Sequence, residues 1–341
     1  MKEPYLTTNN KWTLINSSKD VEVEIEVYSS EKGRIEEIID FAIIFNSYES
    51  RALEYANLFK ENQIKKALLV NFQSDKAIKA SNYEKNKEFL AKITENEILT
   101  LEDIDIFNYY DNIQNILENI PKDCIFYGAK WFIDITGEPS IYSIALIKGI
   151  KQLFPSPQLL LLNVSGIYES QPDKTHTHFS EGFKEDIRVP FYEGTPDYSK
   201  PWKYIFLLGF EGERSLSILK MNEPASCEVV VARPGYEEEY DNVPLEQNEC
   251  FLYELSCKED DIIYADVGDI ISLSNTFEDI YIKIKGDMNL CIIPLGPKPH
   301  ALAAGIFGIM HPEISIMYQV PNKYYLKESK RGKNIWLYKI T

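Results

Sequence analysis

The stretch Asn289-Leu-Cys-Ile-Ile-Pro-Leu-Gly-Pro-Lys-Pro-His-Ala-Leu-Ala-Ala-Gly-Ile-Phe-Gly-Ile-Met-His311 reads as a strand, a tight loop and a helix. It opens with a short apolar run and breaks at Gly296, Pro297, Lys298, Pro299 and His300. It then resumes in small and apolar residues that suit a closely packed helix. A weaker copy lies upstream at 131–154, where Phe132-Ile-Asp-Ile-Thr-Gly-Glu-Pro-Ser140 precedes a second largely apolar helix. The pair turns a single loop into evidence of a repeat.

Working outward from these two stretches, apolar strands alternate with helical segments along most of the chain. Strands are predicted at 38–45, 67–72, 124–127, 131–135 and 158–164, and helices at 51–60, 76–93, 109–120 and 140–154. The pattern then starts again. Strands at 204–208, 227–232 and 314–320, with the apolar run that opens at Asn289, enclose helices that begin at Glu211, at Asp269 and after the loop around Lys298 and His300, and a last strand is expected at 336–340. Such alternation is the signature of an α/β fold with parallel sheets covered on both faces.

The two halves align. Arg51 lies over Arg214 at an offset of 163, Pro139 over Pro299 at 160, Pro155 over Pro312 at 157 and Val164 over Val320 at 156. Four landmarks in one order with a slow drift favour internal duplication over a chance likeness between unrelated strand-loop-helix units. The expected fold is therefore two tandem Rossmann-like units with mainly parallel sheets. Residues 39–168 form the first and 201–341 the second, with an N-terminal extension at 1–38 and a polar connector at 169–200. Within the extension, Val21-Glu-Val-Glu-Ile-Glu-Val-Tyr28 alternates as an edge strand does.

Composition limits the function classes. The 341 residues are 44% hydrophobic and 13% aromatic, enough for substantial cores. Proline, lysine and histidine interrupt the longest apolar region, so no membrane span is expected, and the N-terminal residues lack the apolar core of a signal peptide. Five cysteines, odd in number and with no Cys-x-x-Cys pair, fit a cytoplasmic thiol inventory better than a disulfide framework. The net charge of −17 argues against broad binding to duplex nucleic acid, yet it leaves room for a small ligand held by a few loops.

In an open parallel sheet, ligands bind beyond the carboxyl ends of strands where the strand order reverses. The post-strand loops supply the candidates: Ser47, Tyr48, Glu49 and Arg51 beside Asp134, Thr136, Gly137 and Ser140, then Phe210, Glu211, Glu213 and Arg214 beside Gly296, Lys298 and His300. A helix N-terminus offers free N–H groups, and Lys298 adds charge for a phosphate or carboxylate. The competing reading of Glu49 with Arg51, and of Glu213 with Arg214, is an ion pair at a helix start. Pro139 and Pro299 are first-turn prolines, and His300 has an alternative reading as a helix cap.

Several familiar motifs are missing. No loop matches the phosphate-binding Gly-x-x-x-x-Gly-Lys-Ser/Thr or the dinucleotide Gly-x-Gly-x-x-Gly pattern. There is no Gly-x-Ser-x-Gly elbow, and spacing alone does not make Ser140, His300 and Asp134 a triad. His176 and His178, Cys250 and Cys257, and the acidic run from Gly235 to Asp241 are the residues whose types could form metal or cation sites. Solvated loops account for them better, so no metal and no cofactor are expected.

The loop Asp134-Ile-Thr-Gly-Glu-Pro-Ser140 resembles the Asp-x-Thr-Gly-Gly-Thr-Lys-type loop of CARF domains, the CRISPR-associated Rossmann-fold sensors. Leu295-Gly-Pro-Lys-Pro299 is similar in position and in its lysine. Two such units in one chain resemble the related SAVED arrangement, in which paired units form a composite pocket for cyclic oligonucleotides. Glu138 stands where that loop has its second glycine, and no Thr-Lys pair follows. The resemblance implies a non-catalytic sensor of a small nucleotide-like ligand in antiviral defence. With no nuclease, HEPN or membrane module read in the sequence, its output would pass through a partner protein. The alternatives are a phosphodiesterase-like enzyme, with Lys298 and Arg214 stabilising phosphate charge, and an acidic scaffold that recruits a basic protein.

Overall fold

Both halves lay down their parallel strands in the same order. The computed structural model describes residues 10–16, 19–28, 35–72, 76–168, 179–325 and 328–341. These divide into two units, one built from the residues up to Ile167 together with the C-terminal segment from 328, the other from Tyr168 to 325.

The first unit opens with a hairpin, β1 (Asn10–Asn16) and β2 (Lys19–Tyr28), paired antiparallel. Its centre is β3 (Ile39–Phe45), buried at every position, as a strand covered on both faces must be. Parallel to β3 run β4 (Ile64–Phe72) on one side and β6 (Lys130–Asp134) on the other. Beyond them lie β5 (Thr94–Ile104) and β7 (Gln158–Tyr168), giving the parallel order β7-β6-β3-β4-β5. Strand order therefore reverses between β3 and β6. The helices are α1 (Lys76–Ile93), α2 (Tyr109–Glu118) and α3 (Ser140–Leu153). In α3 every residue from Ile141 to Ile150 is buried, consistent with its apolar composition.

In the second unit a short strand β8 (Ser180–Glu181) and β9 (Glu185–Arg188) precede the central β10 (Trp202–Leu208). Strands β11 (Ser226–Ala232), β12 (Ile262–Ala265), β13 (Asn289–Pro294) and β14 (Ser315–Val320) complete the order β12-β11-β10-β13-β14-β9. All but β9 are parallel. Relabelled by appearance, the five parallel strands of each unit read 3-2-1-4-5, so the duplication seen in sequence extends to topology. The helices are α4 (Gly212–Asn222), α5 (Val243–Gln247), α6 (Glu249–Glu254), α7 (Ile270–Ile284) and α8 (Lys298–Met310). A two-residue strand β15 (Lys323–Tyr324) pairs with β8.

The final strand β16 (Ser329–Ile340) corrects the expected boundaries. It lies between β7 and β2 in the first sheet, where residues 201–341 were expected to form one unit. Its apolar residues Trp336, Leu337, Tyr338 and Ile340 are buried there. The hairpin β1–β2, expected to be an extension, belongs to the same sheet, and the expected connector contains β8 and β9 of the second unit. Two local expectations also change. The segment 124–127 is not a strand but follows a 3-10 turn at Lys122–Cys124, held where the Trp131 indole N–H donates to the Cys124 carbonyl at 3.0 Å. The helix expected from Arg51 is a 3-10 helix, Ser50–Leu58.

Close backbone approach fixes the reversal point of the second sheet. A Cβ on Gly209, just past β10, would lie 2.0 Å from the Leu295 carbonyl oxygen, and one on Gly296 would lie 2.8 Å from the Leu208 oxygen. Because both obstacles are backbone, neither can rotate aside. Gly209→Ala will destabilise the second unit by about 1–3 kcal/mol, read as a lower urea midpoint with an unchanged slope. An unaltered midpoint would refute the close approach.

Candidate functional site

The predicted residues gather at the carboxyl ends of the parallel strands, on either side of each reversal point. In the first unit the loop after β3 folds on itself. The Ser47 hydroxyl accepts the Glu49 N–H at 3.2 Å, and the Asn82 amide donates to the Ser47 and Tyr48 carbonyls at 2.9 and 3.1 Å. The loop after β6 meets it there, since any Cβ on Gly137 would fall 2.4 Å from the Ser47 Cβ. Thr136 is fully buried. Its N–H donates to Asp134 at 2.9 Å, and its hydroxyl accepts the Val164 N–H at 3.2 Å. Ser140 begins α3 behind Pro139 and is half-buried, with its carbonyl accepting from the Ser143 hydroxyl at 3.0 Å.

Arg51 is buried in this cluster. Its guanidinium donates to Glu49 at 2.6 Å, to the Ser329 hydroxyl at 2.7 Å and to the Val164 carbonyl, while Ser329 itself donates to Glu49. Charge-assisted bonds of this kind are short, and a buried ion requires them. The arginine thus ties the loop after β3 to β7 and β16. Tyr55, beneath it on the 3-10 helix, has its hydroxyl pKa raised, first by burial and then by the charge of Asp134.

The second unit repeats the device. Glu211 accepts the Ser180 N–H at 2.6 Å and its hydroxyl at 2.7 Å, and pairs with Arg214 at 3.0 Å. Arg214 donates to the Gln319 carbonyl on β14, and its guanidinium lies 5.5 Å from the centre of the Tyr318 ring. The partner expected for this arginine, Glu213, is exposed, and Glu211 takes its place. In both units, then, a glutamate and an arginine after the first parallel strand grip a carbonyl on the last parallel strand and a serine from outside the parallel set. The ion-pair reading describes these four side chains.

Lys298 is the first residue of α8 and is half-buried. His300, in the same first turn, is fully buried. Its Nε2 faces the Asp266 carbonyl at 3.2 Å, which assigns the proton to that nitrogen, and its Nδ1 has no hydrogen-bond partner. Burial pushes its pKa down to about 4, with the Asp266 bond opposing, so the ring is neutral. It is a core residue rather than a solvent-facing base.

Two further clusters, which the sequence does not mark as such, lie elsewhere in the second unit. Past the far end of α8, His311 lies between the rings of Phe307 and Tyr281, at 4.4 and 4.6 Å, with Glu278 at 2.6 Å and Glu313 at 3.4 Å. The His311 bond leads the effects that lower the Glu313 pKa to about 2. At the other edge, four rings close a circuit. Tyr168 meets Phe179 at 4.8 Å, Phe179 meets Phe210 at 6.3 Å, Phe210 meets Tyr240 at 5.6 Å and Tyr240 meets Tyr168 at 6.1 Å. Phe210 and Tyr240 both follow strands, a hint the sequence carried, whereas the separation of Tyr168 and Phe179 along the chain hid the rest.

Among the described residues no group of three or more histidine, cysteine, aspartate or glutamate side chains is placed to hold a metal ion. His176 and His178 lie outside the described residues. All five cysteines are free thiols. Among the described residues no helix is long and apolar enough to cross a membrane.

No family model matches this chain, and no curated protein matches it. Among solved structures, it is similar to a functionally unknown protein from Pseudomonas aeruginosa PAO1. Identity is 11%, with 83% of this chain and 93% of that one covered and a TM-score of 0.23. At that score the likeness bears on neither fold nor function.

Proposed function

We propose that this is a non-catalytic binding protein for a small, nucleotide-like ligand, received by loops at the carboxyl ends of its parallel strands and signalled onward to a partner protein. The observation that supports this reading is the reversal point of the second sheet. There β13 runs straight into the N-terminus of the 13-residue helix α8, with Lys298 at its first position. The N–H groups of a helix start, the positive end of its dipole and an ammonium group favour an anionic group such as a phosphate. The buried engagement of Glu49, Arg51, Glu211 and Arg214 favours binding over turnover, because groups that hold loops are not available to shuttle protons. A role in antiviral defence follows from the loop-level resemblance to CARF domains and belongs to the same proposal.

Calorimetry with linear and cyclic mono- and dinucleotides tests it. Binding by the native protein should weaken by about tenfold in Lys298→Ala, the loss of one bond to a charged group. Absence of any binding, or an affinity untouched by that substitution, removes the proposal. Consumption of the nucleotide would favour the phosphodiesterase-like alternative.

A further inference from the structure

The ring circuit of the second unit has a chemical character of its own. Tyr168, Phe179, Phe210 and Tyr240 come from four separate places in the chain, and all four are half-buried. They are neither a sealed core nor scattered surface residues. The Tyr240 hydroxyl is fixed by the backbone of Tyr168, accepting its N–H at 2.8 Å and donating to its carbonyl at 3.3 Å, so the circuit is braced by hydrogen bonds as well as by ring contact. Aromatic rings present partial negative charge on their faces, and several rings around one space form a receptor for an organic cation.

The surroundings decide the sign of the guest. Tyr240 stands in the run Glu237-Glu-Glu-Tyr-Asp241, where Glu238 and Glu239 are exposed. Burial and then the charges of Glu237 and Glu239 raise the Tyr240 pKa, against the opposing Tyr168 bond, which places both carboxylates within electrostatic reach of the ring. Between 236 and 261 the chain carries ten acidic residues against one lysine, more than half of its net charge of −17. The nearest arginine in sequence, Arg233, is occupied, with its guanidinium 4.1 Å from the centre of the Tyr264 ring and donating to Asn242 at 2.7 Å. An anion is repelled here and a cation is drawn in.

We propose that these four rings receive the cationic head of an arginine or lysine from a basic segment of a partner protein, with the Glu237–Glu239 carboxylates forming the outer rim. The rings define the site, and the carboxylates select charge. The inference goes beyond the nucleotide reading and shares only Phe210 with the loops named for it, so either can fail alone.

The test uses the full-length chain and an acetylated, amidated Arg-Gly-Arg-Gly-Arg peptide, titrated at 20 and 200 mM salt. The expected result is saturable one-to-one binding, weakened roughly 3- to 30-fold in Phe210→Leu and in Tyr240→Leu. These substitutions keep apolar bulk and remove the ring face. Glu238→Gln with Glu239→Gln should weaken binding less and flatten its salt dependence. A peptide with citrulline in place of arginine, which retains shape but not charge, should not bind the native protein. That arm requires no variant to fold. Equal affinity for the citrulline peptide overturns the proposal, as does no binding of the arginine peptide. Equal affinity of the two ring variants overturns it too, since the peptide would then be held by diffuse surface charge alone. Nucleotide affinity measured on Tyr240→Leu should stay at the native value.

Discussion

Arg51→Ala is expected to lower the stability of the first unit by about 3–5 kcal/mol, the range for removing one partner of a buried ion pair. The side chain is 3% exposed and its glutamate partner 11%, so the charge left on Glu49 would have little water to turn to. The Ser329 hydroxyl remains as one donor to Glu49, while the Val164 carbonyl loses the guanidinium. The two bonds that tie the loop after β3 to β7 and β16 disappear together with the ion pair to Glu49. Buried Trp131 and Trp336 belong to this unit, so tryptophan fluorescence during urea unfolding follows the transition. In a thermal scan the loss corresponds to a drop on the order of 10 °C. The double variant Glu49→Leu with Arg51→Met should recover most of the loss, because both charges leave together. If Arg51→Ala shifts stability by less than 1 kcal/mol, the cluster does not hold the unit together.

The second large effect is a pH dependence centred on His300. An unfolded histidine titrates near 6.5, whereas the buried ring in the folded chain does so at about 4. As pH falls through this interval, the unfolded state takes up a proton that the native state refuses. Stability attributable to this residue is complete above about pH 6.5 and is lost progressively down to about pH 4. The full difference of about 2.5 pK units corresponds to roughly 3 kcal/mol. His300→Leu removes the titrating group. Unfolding free energies of both proteins, measured in urea from pH 7.5 to 4.5, should therefore converge toward acid by about 2–3 kcal/mol. Parallel curves would show that the ring takes up its proton as readily in the folded state as in the unfolded one. Glu313 acts in a separate window. Its lowered pKa makes its contribution complete above the ordinary carboxylate range and lost only toward pH 2, below the interval assigned to His300.

These tests bear on how much the sequence disclosed. The segment 289–311 was legible as strand, loop and helix, here β13 at Asn289–Pro294 and α8 at Lys298–Met310, although the helix takes in Lys298 and His300, which the residue pattern puts in the loop. Strands buried on both faces must be continuously apolar, and that requirement is written locally. Edge strands are not obliged to be apolar. β5 carries Glu95, Glu97, Glu102 and Asp103 along a largely exposed edge, and β12 is four half-buried residues, so neither stood out from its surroundings. The arginines Arg51 and Arg214 were found as a matched pair, but the serines they depend on, Ser329 and Ser180, were not. Each serine comes from a distant part of the chain, and nothing in its own neighbourhood marks it. The destination of 329–340 was hidden for the same reason. A strand's pattern declares that it wants a sheet without declaring which one.

That destination has a consequence for how the molecule is made. A nascent chain leaves the ribosome amino end first, and β16 is the strand that sits between β7 and β2. About 160 residues separate the end of β7 from it, which at 5–20 residues per second takes roughly 10–30 s to synthesise. Throughout that interval the facing edges of β7 and β2 have no strand between them, while every strand of the second unit is being delivered in order. The later-made unit can therefore close before the earlier one. The period in which the newborn protein needs protection from edge-to-edge association belongs to the half that emerged first.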